Sequence, residues 1–168
     1  MAVTSALLFA LAIAAGGCMG SPPSSSSGGA GANGACDESL WNHVYHPDRL
    51  QDPDTTKHHQ CLAATGTVAD IKSEADGDRH IRVTLDAGQE WMINQANTDS
   101  EHGDLVVEPI CVGAVTQSDA VGACSNYTNQ VSMPAKGSHV RVVGVWVHDV
   151  QSQHGWNELH PVTSIVAA

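Results

Sequence analysis

Basic residues are scarce in this chain: seven Lys and Arg stand against eighteen Asp and Glu among 168 residues, for a formal net charge of −11. A domain this anionic repels phosphate backbones, so nucleic-acid binding loses its usual electrostatic drive, and docking on anionic lipid loses it equally. Long hydrophobic runs are scarce too. The stretch Ala2–Ala15 is almost unbroken apolar but too short to span a bilayer. Cys-x-x-Cys pairs are absent, which places a zinc–thiolate centre below disulfides as the use of the cysteines.

That short apolar run ends in small residues, Ala14-Ala15-Gly16-Gly17, and reads as the core of a signal peptide over residues 1–17. Gly16-Gly17-Cys18 resembles the lipobox of bacterial lipoproteins, in which the cysteine is acylated and anchors the mature chain to a membrane. It departs from that pattern at Ala15, where Leu is usual, and in having no Lys or Arg before the run. An ordinary signal peptide with a secreted soluble product is the alternative. From Gly20 to Ala35 only Ser, Gly, Pro, Ala and Asn occur, a composition that makes residues 18–35 a flexible tether. Setting Cys18 aside leaves four cysteines, Cys36, Cys61, Cys111 and Cys124, an even number suited to an oxidising compartment. Four cysteines allow three pairings. The expected one joins Cys111 to Cys124 across a short segment and Cys36 to Cys61, pinning an N-terminal arm of residues 36–60.

Residues 36–168 are one domain by size. Thr65–Ile71 reads as a strand, Glu74–Gly77 as a turn, and His80–Asp86 as a strand whose alternation sets Ile81, Val83 and Leu85 on one face. Leu105–Ile110 is a third strand, and Thr116–Tyr127 a weak helix interrupted by Gly122. His139–Val150 is a long strand whose alternation changes phase at Val142-Val143 beside Gly144, the mark of a bulge. Glu158–Val166 is the last. Trp91-Met92-Ile93 anchors the long loop between Gly88 and Gly103. A sandwich needs more strands and a ferredoxin-like fold two crossover helices. The order predicts an all-β, five-stranded OB-fold-like barrel with one short helix between strands 3 and 4.

In such a barrel, ligands sit on the outer faces of the second and third strands and on the loops joining strands 1 to 2 and 4 to 5. Asp76-Gly77-Asp78 falls in the first loop and His154-Gly155-Trp156 in the second. Parity does the rest: with Ile81, Leu105, Val107 and Leu159 inward, Asp78, His80, Glu108, Glu158 and His160 point outward and converge. Two imidazoles with carboxylates form the ligand set of zinc and other first-row divalent metals. The candidate ligand-binding set is therefore Asp76, Asp78, His80, Glu108, His154, Trp156, Glu158 and His160. Within it, His80, Glu108, Glu158 and His160 are the candidate ligands of a divalent metal such as zinc. Such a metal would bind or activate water; a metal-free His–Glu pair suits general acid–base work; and turn or surface roles alone would fit an adaptor for a protein partner. The expected partners are an unidentified small ligand or protein, with the membrane reached through the lipid anchor alone. His58-His59 reads as loop, Trp146 and Trp156 as packing residues, Asn126-Tyr127-Thr128 as a glycosylation sequon, and Arg49 as a partner for surface acids.

The run Tyr45–Leu50, Thr65–Val68, Asp76–His80, Gly103–Glu108, Cys124–Tyr127 and His154–Val162 resembles a family of uncharacterised secreted bacterial and archaeal domains. That resemblance implies one domain with an intact motif set and supplies no reaction. The chain is also weakly similar to staphylococcal-type nucleases, OB-barrels with Asp-Gly-Asp after the first strand. Here Arg79 replaces the Thr of that pattern and no arginine pair flanks the acids, so nuclease chemistry is not expected.

Overall fold

The computed structural model describes Met1 and residues 35–168; the segments expected as signal peptide, lipidated Cys18 and tether lie almost wholly outside the described residues. Strands β1 (Leu50–Gln51), β2 (Cys61–Ser73), β3 (Arg79–Leu85), β4 (Leu105–Val107), β5 (His139–Asp149) and β6 (Asn157–Ala167) form one sheet. β2 pairs with β3, β3 with β4, and β5 with both β6 and β2, all antiparallel, while β4 runs parallel to β6. The ring β2-β3-β4-β6-β5 therefore closes on itself as a five-stranded mixed barrel, the OB-like order, and β1 adds to β5 outside it.

Alternation fills the interior. Val68, Ile81, Val83, Leu105, Val107, Val142, Leu159 and Val162 meet there with Met92 and Trp146. Met92 is fully buried, and its carbonyl accepts from the Trp146 indole at 2.9 Å, so the loop of residues 88–103 is anchored as expected, although Trp91 stays exposed. The register of β5 against β6 shifts on both sides of Gly144, confirming the bulge. A side chain at Gly144 would stand 3.0 Å from the Pro161 carbonyl, so the bend requires glycine.

Among the described residues, the one α-helix, α1 (Gln95–Ser100), stands in chain order between β3 and β4. Its N-cap Asn94 accepts from the Ala96 and Asn97 amides, and Asn97 returns a bond to the Asn94 amide. Thr116–Tyr127, expected as helix, is instead a run of turns. Its first two amides, Thr116 and Gln117, donate to the Ala75 carbonyl, at 2.7 and 2.9 Å, and later amides bond three residues back as separate turns. That segment and the arm of residues 36–49 form a cover on the outside of the barrel. Leu40, Val44, Ile110 and Cys111 pack there as a second cluster, joined by Trp41, Leu50 and Tyr127. The disulfides Cys36–Cys61 and Cys111–Cys124 are the expected pairing. The first ties the arm to β2, and the second closes the cover. Two disulfides are the mark of an extracytoplasmic domain. Among the described residues, no helix is long and apolar enough to cross a membrane.

Candidate functional site

Three neighbouring strands build the site. Val107 pairs with Ile81 on one side and with Leu159 on the other. The residues just before or after these core positions, His80, Glu108, Glu158 and His160, therefore face out from adjacent strands. Glu108 lies one residue past β4, yet its amide donates to the Leu159 carbonyl and its carbonyl accepts from the Val162 amide, at 2.9 and 3.1 Å. Those two bonds fix it between His80 and His160.

Glu108 bridges the two imidazoles. His80 donates from Nδ1 to Glu108 Oε1 at 2.9 Å and from Nε2 to Glu101 Oε2 at 3.0 Å. His160 Nδ1 lies 3.0 Å from both Glu108 Oε2 and Glu158 Oε1. Glu158 Oε2 accepts from the Trp156 indole at 2.8 Å. At the far end, His160 Nε2 is buried without a hydrogen-bond partner, 3.9 Å from Asp78 Oδ2. Asp78 is itself anchored by its other oxygen, which accepts from the Cys111 amide at 2.7 Å.

The outward residues are therefore not exposed. His80, Glu158 and His160 keep 7, 1 and 6 % of their surface. Burial opposes charge on His80, but the carboxylates of Glu108 and Glu101 outweigh it and lift its pKa to about 9. His160 is held well above its ordinary value by Glu108 and Glu158, again against its burial. Burial alone would raise Glu108, yet hydrogen bonds from His160 and His80 hold it well below the usual carboxylate range. Glu158 moves the other way, raised by burial and by the charge of Glu108. Asp78 is pushed up to about 7, chiefly by burial, with Asp76 and Glu108 adding to it against the pull of His160.

Asp78, Glu108 and His160 each offer a ligand atom, all within 4.8 Å of one another, so this cluster has the composition and spacing to hold a metal ion. Asp78, Cys111 and Cys124 make a second group of that size, although disulfide sulfurs are not the thiolates that bind metals. His80 spends both nitrogens on carboxylates; Glu158 and Glu108 each accept at both oxygens, but only Glu108 groups with Asp78 and His160. Asp76 stands in the turn, half-buried, where its Oδ1 accepts from the Asp78 amide at 3.1 Å. Gly77 beside it has φ of 99°, and a side chain there would press on Val115 at 2.9 Å, so the turn needs glycine. His154 pairs with Asp149 and stacks on Trp156, with ring centres 4.1 Å apart. Trp156 is buried, edge-on to His80, and acts as packing; Trp146 is core.

Two adjoining clefts open over this row. One, of about 410 Å³, is lined by Tyr45, Arg49, Asp149, His154, Glu108 and His160. The other, of about 240 Å³, reaches His80, Glu101 and Trp156, and the two share Glu74, Asp76, Glu108 and His154. Arg49 donates to Gln151 at 2.8 Å and makes no ion pair among the described residues. His58 pairs with Asp52, and His59 packs at a tilt against Trp41, away from the row.

Glu101 and Asp149 were not singled out from the sequence. Asn97 places Glu101: fully buried, it donates to the Asp104 and Asn157 carbonyls at 3.1 and 2.9 Å and accepts from the Asn157 amide. The helix end, and Glu101 with it, is thereby pinned over β3. The signal was the Asn94-x-x-Asn97 cap, with an acid one turn on.

Compared with known proteins, the chain matches no family model, no curated protein and no solved structure. Of the two resemblances carried by the motifs, the structure supports a five-stranded β-barrel.

Proposed function

We propose that this is an extracytoplasmic binding module for a divalent cation, held to a membrane through Cys18 and the tether of residues 18–35. The observation that carries the reading is His160 Nε2, buried with no hydrogen-bond partner 3.9 Å from Asp78, in a ring that groups with Asp78 and Glu108 within 4.8 Å. Buried polar atoms are rarely left unpaired, and one facing acids suits a cation. On this reading Asp78, Glu108 and His160 are the ligands. Glu158 takes the part of the carboxylate that orients a ligating histidine through its other nitrogen, and His80 with Glu101 fixes Glu108. Of the four ligands expected from the sequence, Glu108 and His160 keep that role, and His80 and Glu158 become supports.

The test is the metal content of the full-length, disulfide-intact protein after equilibration with zinc. About one equivalent in the wild type, lost in His160→Gln, is the expected result; no metal in either rejects the reading. The cleft beside Glu108 favours a second reading, a hydrolase whose metal activates water with a carboxylate as base. Turnover of simple esters or phosphoesters that Glu108→Gln abolishes would select it. The occupant of the cleft is then a small polar ligand rather than a protein partner.

A further inference from the structure

The disulfide Cys111–Cys124 sits against the cation cluster. Its sulfurs and a carboxylate oxygen of Asp78 lie within 4.8 Å of one another, and the Cys111 amide is what holds Asp78. Asp78 thus belongs to two groups of candidate ligands at once, with His160 Nε2 unpartnered 3.9 Å from its Oδ2. The two Cys Cα atoms are 5.4 Å apart, so both thiolates can reach one cation once the S–S bond is gone. Cys111 is buried while Cys124 is only half-buried, which leaves the second sulfur open to a reductant. Its Sγ approaches the Asp76 carbonyl at 3.6 Å, so it sits at the same turn as Asp78.

We propose that reduction of Cys111–Cys124 creates a second, thiolate metal site, with Cys111 Sγ, Cys124 Sγ and Asp78 as its three protein ligands and solvent in the fourth position. Two thiolates with a carboxylate suit a thiophilic first-row cation such as zinc. A dithiol reductant attacks one sulfur, the S–S bond breaks, and two electrons pass to the cysteine pair as the reductant leaves as its own disulfide. The two thiols then lose their protons to solvent as the cation binds. Asp78 is common to this site and to the proposed oxygen–nitrogen site, but the thiolate site does not need the other to exist.

Cobalt(II) is the probe, because thiolate ligation gives it a near-ultraviolet charge-transfer band that carboxylate and imidazole ligation do not. The full-length protein is reduced with a phosphine, desalted without oxygen and titrated, alongside Cys111→Ser/Cys124→Ser treated identically. That variant keeps Cys36 and Cys61, so it controls for the other pair. The expected result is the band in reduced wild type, its absence in oxidised wild type and in the variant, and cobalt binding weakened by more than about tenfold in Asp78→Asn. No band in reduced wild type that retains its far-ultraviolet circular dichroism overturns the proposal, as does an equal band in the variant. Cobalt binding by the oxidised protein without that band reports the oxygen–nitrogen site separately, so each site can fail alone.

Discussion

Ile81 and His80 are neighbours on β3, both buried, and they meet opposite surroundings. Ile81 points into a barrel that its own strands close, among Val107, Leu159 and other apolar side chains. His80 points out, onto Glu108 and Glu101, and owes its burial to helix α1 and to segments remote in sequence. The same contrast holds for Val107 against Glu108 and for Leu159 against His160. The inner face satisfies itself by shape alone. The outer face is a set of charges that must be matched one by one, because a buried charge without a partner costs far more than a missing methyl group.

The sharpest way to break this contrast is to empty the middle of the outer row. Glu108→Ala removes the acceptor shared by His80 and His160, and should destabilise the protein by about 3–5 kcal/mol, read from urea unfolding. A loss below about 1 kcal/mol would mean that the two imidazoles are neutral and uncharged neighbours suffice. On the inner face, Leu159→Ala should cost about 2–5 kcal/mol through the cavity it leaves, and that loss should not depend on pH.

pH itself separates the faces. His80 carries a folded pKa of about 9 above its ordinary 6.5, so its stabilisation is full below 6.5 and disappears as pH rises through 9. His160 acts in the same direction. Asp78, raised from 3.8 to about 7, also favours the folded state at low pH and loses that contribution between those values. Glu108, lowered, stabilises above its ordinary 4.5 and loses this as pH falls through its folded value. The metal-free protein should therefore be most stable in mildly acidic solution and lose stability steadily toward pH 9. A flat urea midpoint between pH 6 and 9 would contradict charged imidazoles. Cation binding should run the other way, strengthening as pH rises, because the ligands must shed protons.

Smaller effects test the supports. Asn97→Ala strips hydrogen bonds from the Asp104 and Asn157 carbonyls and the Asn157 amide, and should cost about 1–3 kcal/mol while loosening Glu101 from His80. The His80 ring resonances in NMR would report that loosening. Asn94→Ala removes the cap of α1 and should cost about 1 kcal/mol with the His80 signals moving less.

Parity made the barrel and the row legible. Alternation in His80–Leu85 and Leu105–Val107, and the single inward Leu159 between Glu158 and His160, were enough to send five polar residues to one outer face. The phase change beside Gly144 gave the bulge. The cover was not legible, because its hydrogen bonds run from Thr116 and Gln117 to Ala75 and from Cys111 to Asp78, across intervals with no periodic pattern. Thr116–Tyr127, read as helix, keeps only three-residue turn bonds among its own groups, and its first two amides are claimed by Ala75. From parity alone, Glu158 and His80 read as free to bind a metal. In the fold, Glu101, Glu108, Trp156 and His160 already engage their polar atoms, and Asp78, held by the Cys111 amide, comes forward.

The most direct test of the central claim, that Asp78, Glu108 and His160 converge on one cation, is anomalous X-ray scattering from crystals of the oxidised protein grown with zinc. The account predicts one peak at about 2.0–2.2 Å from a carboxylate oxygen of Asp78, one of Glu108 and a ring nitrogen of His160. Zinc bound only at surface histidines such as His58, with the row unchanged and empty, would contradict it.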